Sequence, residues 1–141
     1  MTRIDFHSNV QDKVSHACRL VRKAHLARQC VAVMAGDSAQ LAQLNLALWR
    51  FSDVDFLPHV LAGDVLTSRT PIILSDVDSE TWPHFDILLN LSQRTPAGFA
   101  RFQRVFEIIS PDPQDAAAGR LRYLAYKQQQ YQLSHFIAGQ S

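Results

Sequence analysis

The sequence predicts an α/β domain with a mainly parallel sheet held between helices, and three observations carry that prediction. Several short apolar runs are continuous rather than alternating, as in strands covered on both faces. Stretches with apolar residues at helical spacing lie between them. The turn from one apolar run into the next helical stretch carries helix-start chemistry, which makes half of a β-α-β unit.

The elements follow in order. "RIDFH" (3–7) alternates Ile4 and Phe6 against polar neighbours and reads as a strand. Val10, Val14, Ala17, Cys18, Val21, Ala24 and Leu26 form a helical stripe through about residue 28, with Lys13, Arg19, Arg22 and Lys23 mostly on the other, solvated side. "CVAVMAG" (30–36) is a buried parallel strand closed by Gly. Asp37 then caps a helix expected to run to about Trp49, with Gln40 three residues on completing a capping-box pattern.

"PIILS" (71–75), "FDILLNLS" (85–92) and "RVFEIIS" (104–110) give three further strands. "RTPAGFARFQ" (94–103) suits a short helix capped by Thr95 with Pro96 at its first position. Residues 111–136 read as a long terminal helix capped by Asp112, with Pro113 at its first position and Asp115 in the first turn, where the helix dipole favours an acid. With no linker or internal repeat, the expectation is a single domain over residues 1–141.

Composition excludes several function classes. The 141 residues are 47% hydrophobic and 19% charged, an ordinary globular balance. Lys and Arg total 14 against 13 Asp and Glu, so no strong basic field exists for non-specific nucleic-acid binding, and any contact with DNA should be indirect or weak. The opening residues "MTRIDFHSNVQDK" hold no apolar signal segment and no run reaches the length of a membrane span, which predicts a cytoplasmic protein. Cys18 and Cys30 are isolated and read as buried free thiols.

No catalytic motif stands out. The turn "MAGDSAQ" offers one Gly, and Asp37 occupies the helix start where a phosphate would dock. The six His are scattered without metal-ligand spacing, and no cofactor is expected. A small α/β enzyme would have to use a cleft at the strand ends near His7, Gly36 and Asp37.

Two surfaces draw attention instead. On the terminal helix Arg120, Tyr123 and Lys127 share one face, with Arg122 and Tyr126 at its borders, while Ala117, Leu121, Leu124, Ala125 and Gln128 are expected to face the core. That cationic face is either solvated surface around one amphipathic Tyr, or a shallow site for a ligand with negative charge and an apolar end. The second surface is "LWRFSDVDFLPHVLAGD" (48–64), where Leu57 and Leu61 should pack the domain edge. Trp49, Phe56 and Pro58 pack that edge too, or else form an aromatic docking groove.

"ALW…FLPHVLAGD", "FDILLNLS", "FARFQRVFEIIS" and the terminal "RLRYLAYKQ" together resemble the chi subunit of bacterial DNA polymerase III holoenzyme, along nearly the whole chain. The resemblance implies a Rossmann-like fold without nucleotide chemistry. It also implies a non-catalytic role in the clamp-loader assembly, with one side binding the small psi subunit and another the acidic, Phe-ended C-terminal tail of single-stranded DNA-binding protein (SSB). The positions matching the psi site are Trp49, Phe56 and Pro58; those matching the SSB-tail site are Arg120, Arg122 and Tyr123, with Lys127 replacing an Arg. Leu124 stands where a family member carries Lys directly after that Tyr, a change that bears on tail affinity and leaves the site itself in place.

Overall fold

A computed structural model describes residues 2–51, 57–62, 70–78 and 82–139. In chain order its elements are β1 (Arg3–Ser8), α1 (Lys13–Leu26), β2 (Val31–Met34), α2 (Ser38–Phe51), β3 (His59–Leu61), β4 (Ile72–Ser75), β5 (Ile87–Asn90), β6 (Arg104–Ile108), α3 (Pro113–Gln128) and β7 (Gln132–Ile137). The strands form one sheet in the order β3-β4-β2-β5-β6-β1-β7, and every pairing is parallel. The expected α/β architecture is therefore present.

β2, β4 and β5 are buried along their whole length, which explains their unbroken apolar sequences. Successive side chains serve two cores, because neighbours on a strand point to opposite faces. Val31 and Val33, Ile72 and Leu74, and Leu89 pack with α1 and α2, whereas Ala32, Ile73 and Leu88 pack on the α3 side with Phe6, Phe102 and Tyr126. At the start of α2, Asp37 Oδ1 accepts from Gln40 N at 2.8 Å and Gln40 Oε1 accepts from Gly36 N at 2.7 Å, the reciprocal capping that the sequence announces.

Four expectations need correction. The terminal helix stops at Gln128 rather than 136, and residues 132–137 form the edge strand β7 against β1. Gln130 takes the left-handed conformation (φ 66°), Gln130 N donates to Lys127 O and Tyr131 N to Tyr126 O, which together make a Schellman stop. No Gly marks that stop, and α1 ends the same way through Arg28 (φ 61°). The segment 94–103 holds only a 3-10 turn at Phe99–Arg101, since the Asp78 carboxylate, not Thr95, takes the Ala97 N–H. Cys30 is only partly buried, although Cys18 is buried as expected and burial pushes its thiol up to about 11.

The fourth correction concerns which face of α3 looks inward. Asp115, Gly119, Arg122 and Tyr126 are buried, at helical spacing, while Leu121 and Leu124 are 69% and 61% exposed. The cause is Glu107 of β6, which has no exposed surface. Its carboxylate accepts from Asn90 Nδ2 at 2.9 Å, Arg122 Nε at 3.1 Å and the Tyr126 hydroxyl at 2.7 Å. A buried carboxylate without partners costs more than burying two leucines would gain, so the polar residues turn inward. Burial raises the Glu107 pKa, and the Arg122 charge with the two hydroxyl and amide donors opposes that shift.

Since Gln130 pays a left-handed conformation that Gly adopts freely, Gln130→Gly should raise stability by about 1 kcal/mol. Equilibrium urea denaturation checks this through a higher midpoint at unchanged slope.

Candidate functional site

A groove of about 650 Å³ lies between α3 and the C-terminal ends of β1 and β7. Its floor is apolar. Phe6 and Ile109 are buried, and the Tyr123 ring meets Phe6 edge-on with centroids 5.0 Å apart. Gly119 allows α3 to come close to this floor: a Cβ there would stand 2.5 Å from Ile109 Cδ1 and within 3.2 Å of Ile109 Cγ1 and Cγ2. A mid-helix Gly costs about 1 kcal/mol relative to Ala, which this close approach explains. Polar groups stand on the rim. Arg120 is exposed there, and His135 Nε2 lies 2.7 Å from Ser8 Oγ, with its ring 6.3 Å from Tyr123. None of the described residues lining the groove is Asp or Glu. An apolar cleft with a guanidinium at its edge suits a ligand combining a hydrophobic side chain with a carboxylate.

The structure thus gathers only part of the residue set expected from sequence. Arg120 and Tyr123 line the groove together with Leu124, whose apolar chain extends its wall. Lys127 is exposed on the next turn of α3, outside the lining. Arg122, expected at the border of this face, is 4% exposed and points into the core toward Glu107. His135, Asn9 and Ile109 join the site beyond the residues the sequence points to; His135 does so because residues 132–137 form a strand rather than the expected helix.

At the other end of the sheet the second surface takes shape around β3. Trp49 is 54% exposed near the end of α2, with its ring 4.5 Å from that of His59. Phe51 and Leu61 are also exposed and Pro58 is half-buried. Leu57 is buried as expected, but Leu61, expected to pack the edge, faces outward because it sits on an edge strand. Phe56 lies outside the described residues.

The residues of the enzyme alternative are not brought together. Gly36 and Asp37 line a polar cleft with Lys13, Asp112 and Asp115, whereas His7 lies in a different one beside Phe106 and Phe136. In the first cleft Lys13 Nζ donates to Leu91 O at 2.6 Å and Asp115 Oδ2 at 3.0 Å, so the lysine ties the end of β5 to α3. His7 Nδ1 lies 2.8 Å from His16 Nε2, and burial, reinforced by His16, holds the His7 pKa down to about 4. Among the described residues no three His, Cys, Asp or Glu side chains gather as metal ligands, and no helix is long and apolar enough to cross a membrane.

Comparison with known proteins gives this geometry a context. Residues 1–134 match the family described as DNA polymerase III chi subunit, HolC. The chain belongs to that family. It is 31% identical over 137 residues to the DNA polymerase III subunit chi of Pseudomonas aeruginosa, covering 94% of each chain. It is 26% identical over 118 residues to the subunit chi of Haemophilus influenzae, covering 84% of this chain and 82% of that one. The chi-family assignment made from the motifs therefore stands, and both the α3 groove and the β3 edge place aromatic side chains beside apolar or cationic neighbours.

Proposed function

We propose that this chi-family protein is a non-catalytic adaptor in DNA polymerase III holoenzyme. It docks the psi subunit at the β3 end through Trp49, Pro58 and Phe56, and it holds the C-terminal tail of SSB in the α3 groove. One observation carries the reading: β3 and β7 are the two opposite edges of the sheet. Six strand steps of about 4.8 Å separate them by about 29 Å. Two macromolecular partners can therefore be held at once without meeting, which is what a bridge between a clamp loader and SSB-coated DNA requires.

The tail end of the bridge rests on groove chemistry. An acidic segment ending in Phe and a free carboxylate matches an apolar floor at Tyr123 and Ile109 with Arg120 at the rim and Lys127 a turn away. Arg122 is assigned to the fold rather than to the peptide, since its charge is spent on Glu107.

Titration of a labelled SSB-tail peptide tests this. Affinity should fall as salt rises, because exposed charge attraction is screened over about 8 Å at physiological ionic strength. Tyr123→Ala should weaken binding about tenfold by removing an aromatic anchor. Lys127→Glu should weaken it further as salt is lowered, and Leu124→Lys should strengthen it by about 1 kcal/mol, the usual ceiling for an exposed pair. Equal affinity in wild type and all three variants would place the tail elsewhere.

A further inference from the structure

On the sheet face opposite the α3 groove, rings from β6, β1 and β7 lie side by side, with Phe106 buried, His7 half-buried and Phe136 exposed. His7 and Phe136 are direct register partners on adjacent strands, with ring centroids 5.2 Å apart, and Phe106 of β6 lies 5.2 Å from His7 on the other side. Phe136 is 52% exposed, an unusual position for a Phe on a sheet face. Residue alternation places Arg3, Asp5 and His7 on this same face, with Arg104 as the register partner of Arg3. A groove of about 530 Å³ runs here, flanked by α1 through Leu20 and Lys23.

The charge on this face is one-sided. Asp5 is buried and accepts from Arg104 Nε at 2.6 Å, from Arg3 Nε at 3.3 Å and from the Ser134 hydroxyl. Two guanidiniums against one carboxylate leave positive charge over, and Arg3 is still half exposed with Arg104 close behind. Lys23 adds an exposed ammonium on the α1 side. The Arg104 guanidinium also lies 4.5 Å from the centroid of the buried Phe106 ring, so the cation forms the outer surface of a ledge. From Arg3 to His7 the strand rises about 13 Å over four residues.

We infer that this sheet face is a weak binding site for single-stranded DNA, in which a base stacks on the exposed Phe136 ring, backed by His7, while phosphates meet Arg3, Arg104 and Lys23. Flat rings beside surplus cations fit unpaired bases on a phosphate chain, since every base offers a face to stack. An acidic peptide without aromatic side chains would use the charges but leave the exposed ring idle. The near-neutral chain keeps the contact weak in isolation. Tethering to SSB-coated DNA through the α3 groove would raise the local DNA concentration, and a weak contact then becomes useful without new interactions. The site goes beyond the adaptor reading and stands or falls separately, because the two surfaces lie on opposite faces of the sheet.

Fluorescence anisotropy of a short labelled oligo(dT) against the full chain at low salt is the test. Wild type should bind saturably with a linear log–log salt dependence. Phe136→Ala should weaken binding about tenfold, the loss of one stacked base. Lys23→Gln should reduce the salt slope by about 0.7, the loss of one phosphate contact on a single strand. Both residues are exposed, and a thermal melt of each variant confirms that the fold is retained. Tyr123→Ala, in the α3 groove, should bind the oligonucleotide as wild type does. Absence of saturable binding, unchanged affinity in both ledge variants, or loss confined to Tyr123→Ala would overturn the assignment.

Discussion

Glu107→Ala should destabilise the fold by about 3–5 kcal/mol, the range expected when one partner of a buried ion pair is removed. Glu107 has no exposed surface, and Arg122 is 4% exposed with both Nη atoms buried and without a partner among the described residues. The carboxylate is therefore what compensates the guanidinium charge. Truncation also strips the Tyr126 hydroxyl and the Asn90 amide of an acceptor. Arg122→Ala should cost a similar amount, and combining Glu107→Leu with Arg122→Met should recover part of the loss, because neither charge is then left alone. Urea denaturation of the three variants measures this. A loss below about 1 kcal/mol in Glu107→Ala, the scale of an exposed pair, would contradict the inward placement of Arg122.

The second large effect concerns partner binding at the β3 end. Trp49→Ala should cost about 2 kcal/mol or more of psi binding, since a half-exposed Trp beside other exposed apolar groups has the character of an interface anchor. Its stability cost should be smaller, because the ring lies outside both buried cores and its described ring contact is with His59. Phe56→Ala should reduce psi binding by a comparable amount. Calorimetric titration with psi, paired with thermal melts, separates the two quantities. Unchanged psi affinity alongside a core-like loss of about 3–5 kcal/mol in stability would assign Trp49 to the fold.

The parts of the fold that were legible in the sequence were those with a local physical cause. β2, β4 and β5 declare themselves because strands buried on both faces leave no polar alternation to confuse with a helix. The starts of α2 and α3 are written in Asp37, Gln40 and Asp112, whose side chains close the first turns, and in Asp115, whose carboxylate accepts from Ser110 N just ahead of α3. The end of α3 was not legible, because Gln130 performs a turn that Gly usually marks, and the following "QLSHFI" is an edge strand exposed along most of its length. Nor was β3, whose three residues are too short to show a period.

The inward face of α3 was hidden for a different reason. Helical periodicity ranks Leu121 and Leu124 as core, yet a distant residue, Glu107, decides the rotation. One signal was available. A lone Glu inside the apolar run "RVFEIIS" demands buried donors, and a packed helix carrying a cation and a hydroxyl can supply them. The site inherited the same difficulty. Arg120 and Tyr123 were legible from their shared helix face, whereas His135 entered the groove only through the unread strand, and Arg122 left it for the core.

The bridging claim rests on simultaneous occupancy, and one measurement addresses it directly. A labelled SSB-tail peptide is titrated into the chain alone and into the chain saturated with psi, under identical salt. With the two docking surfaces about 29 Å apart across six strand steps, the tail should bind with the same affinity in both. A tail affinity that falls in proportion to psi occupancy would show one shared surface and contradict the account.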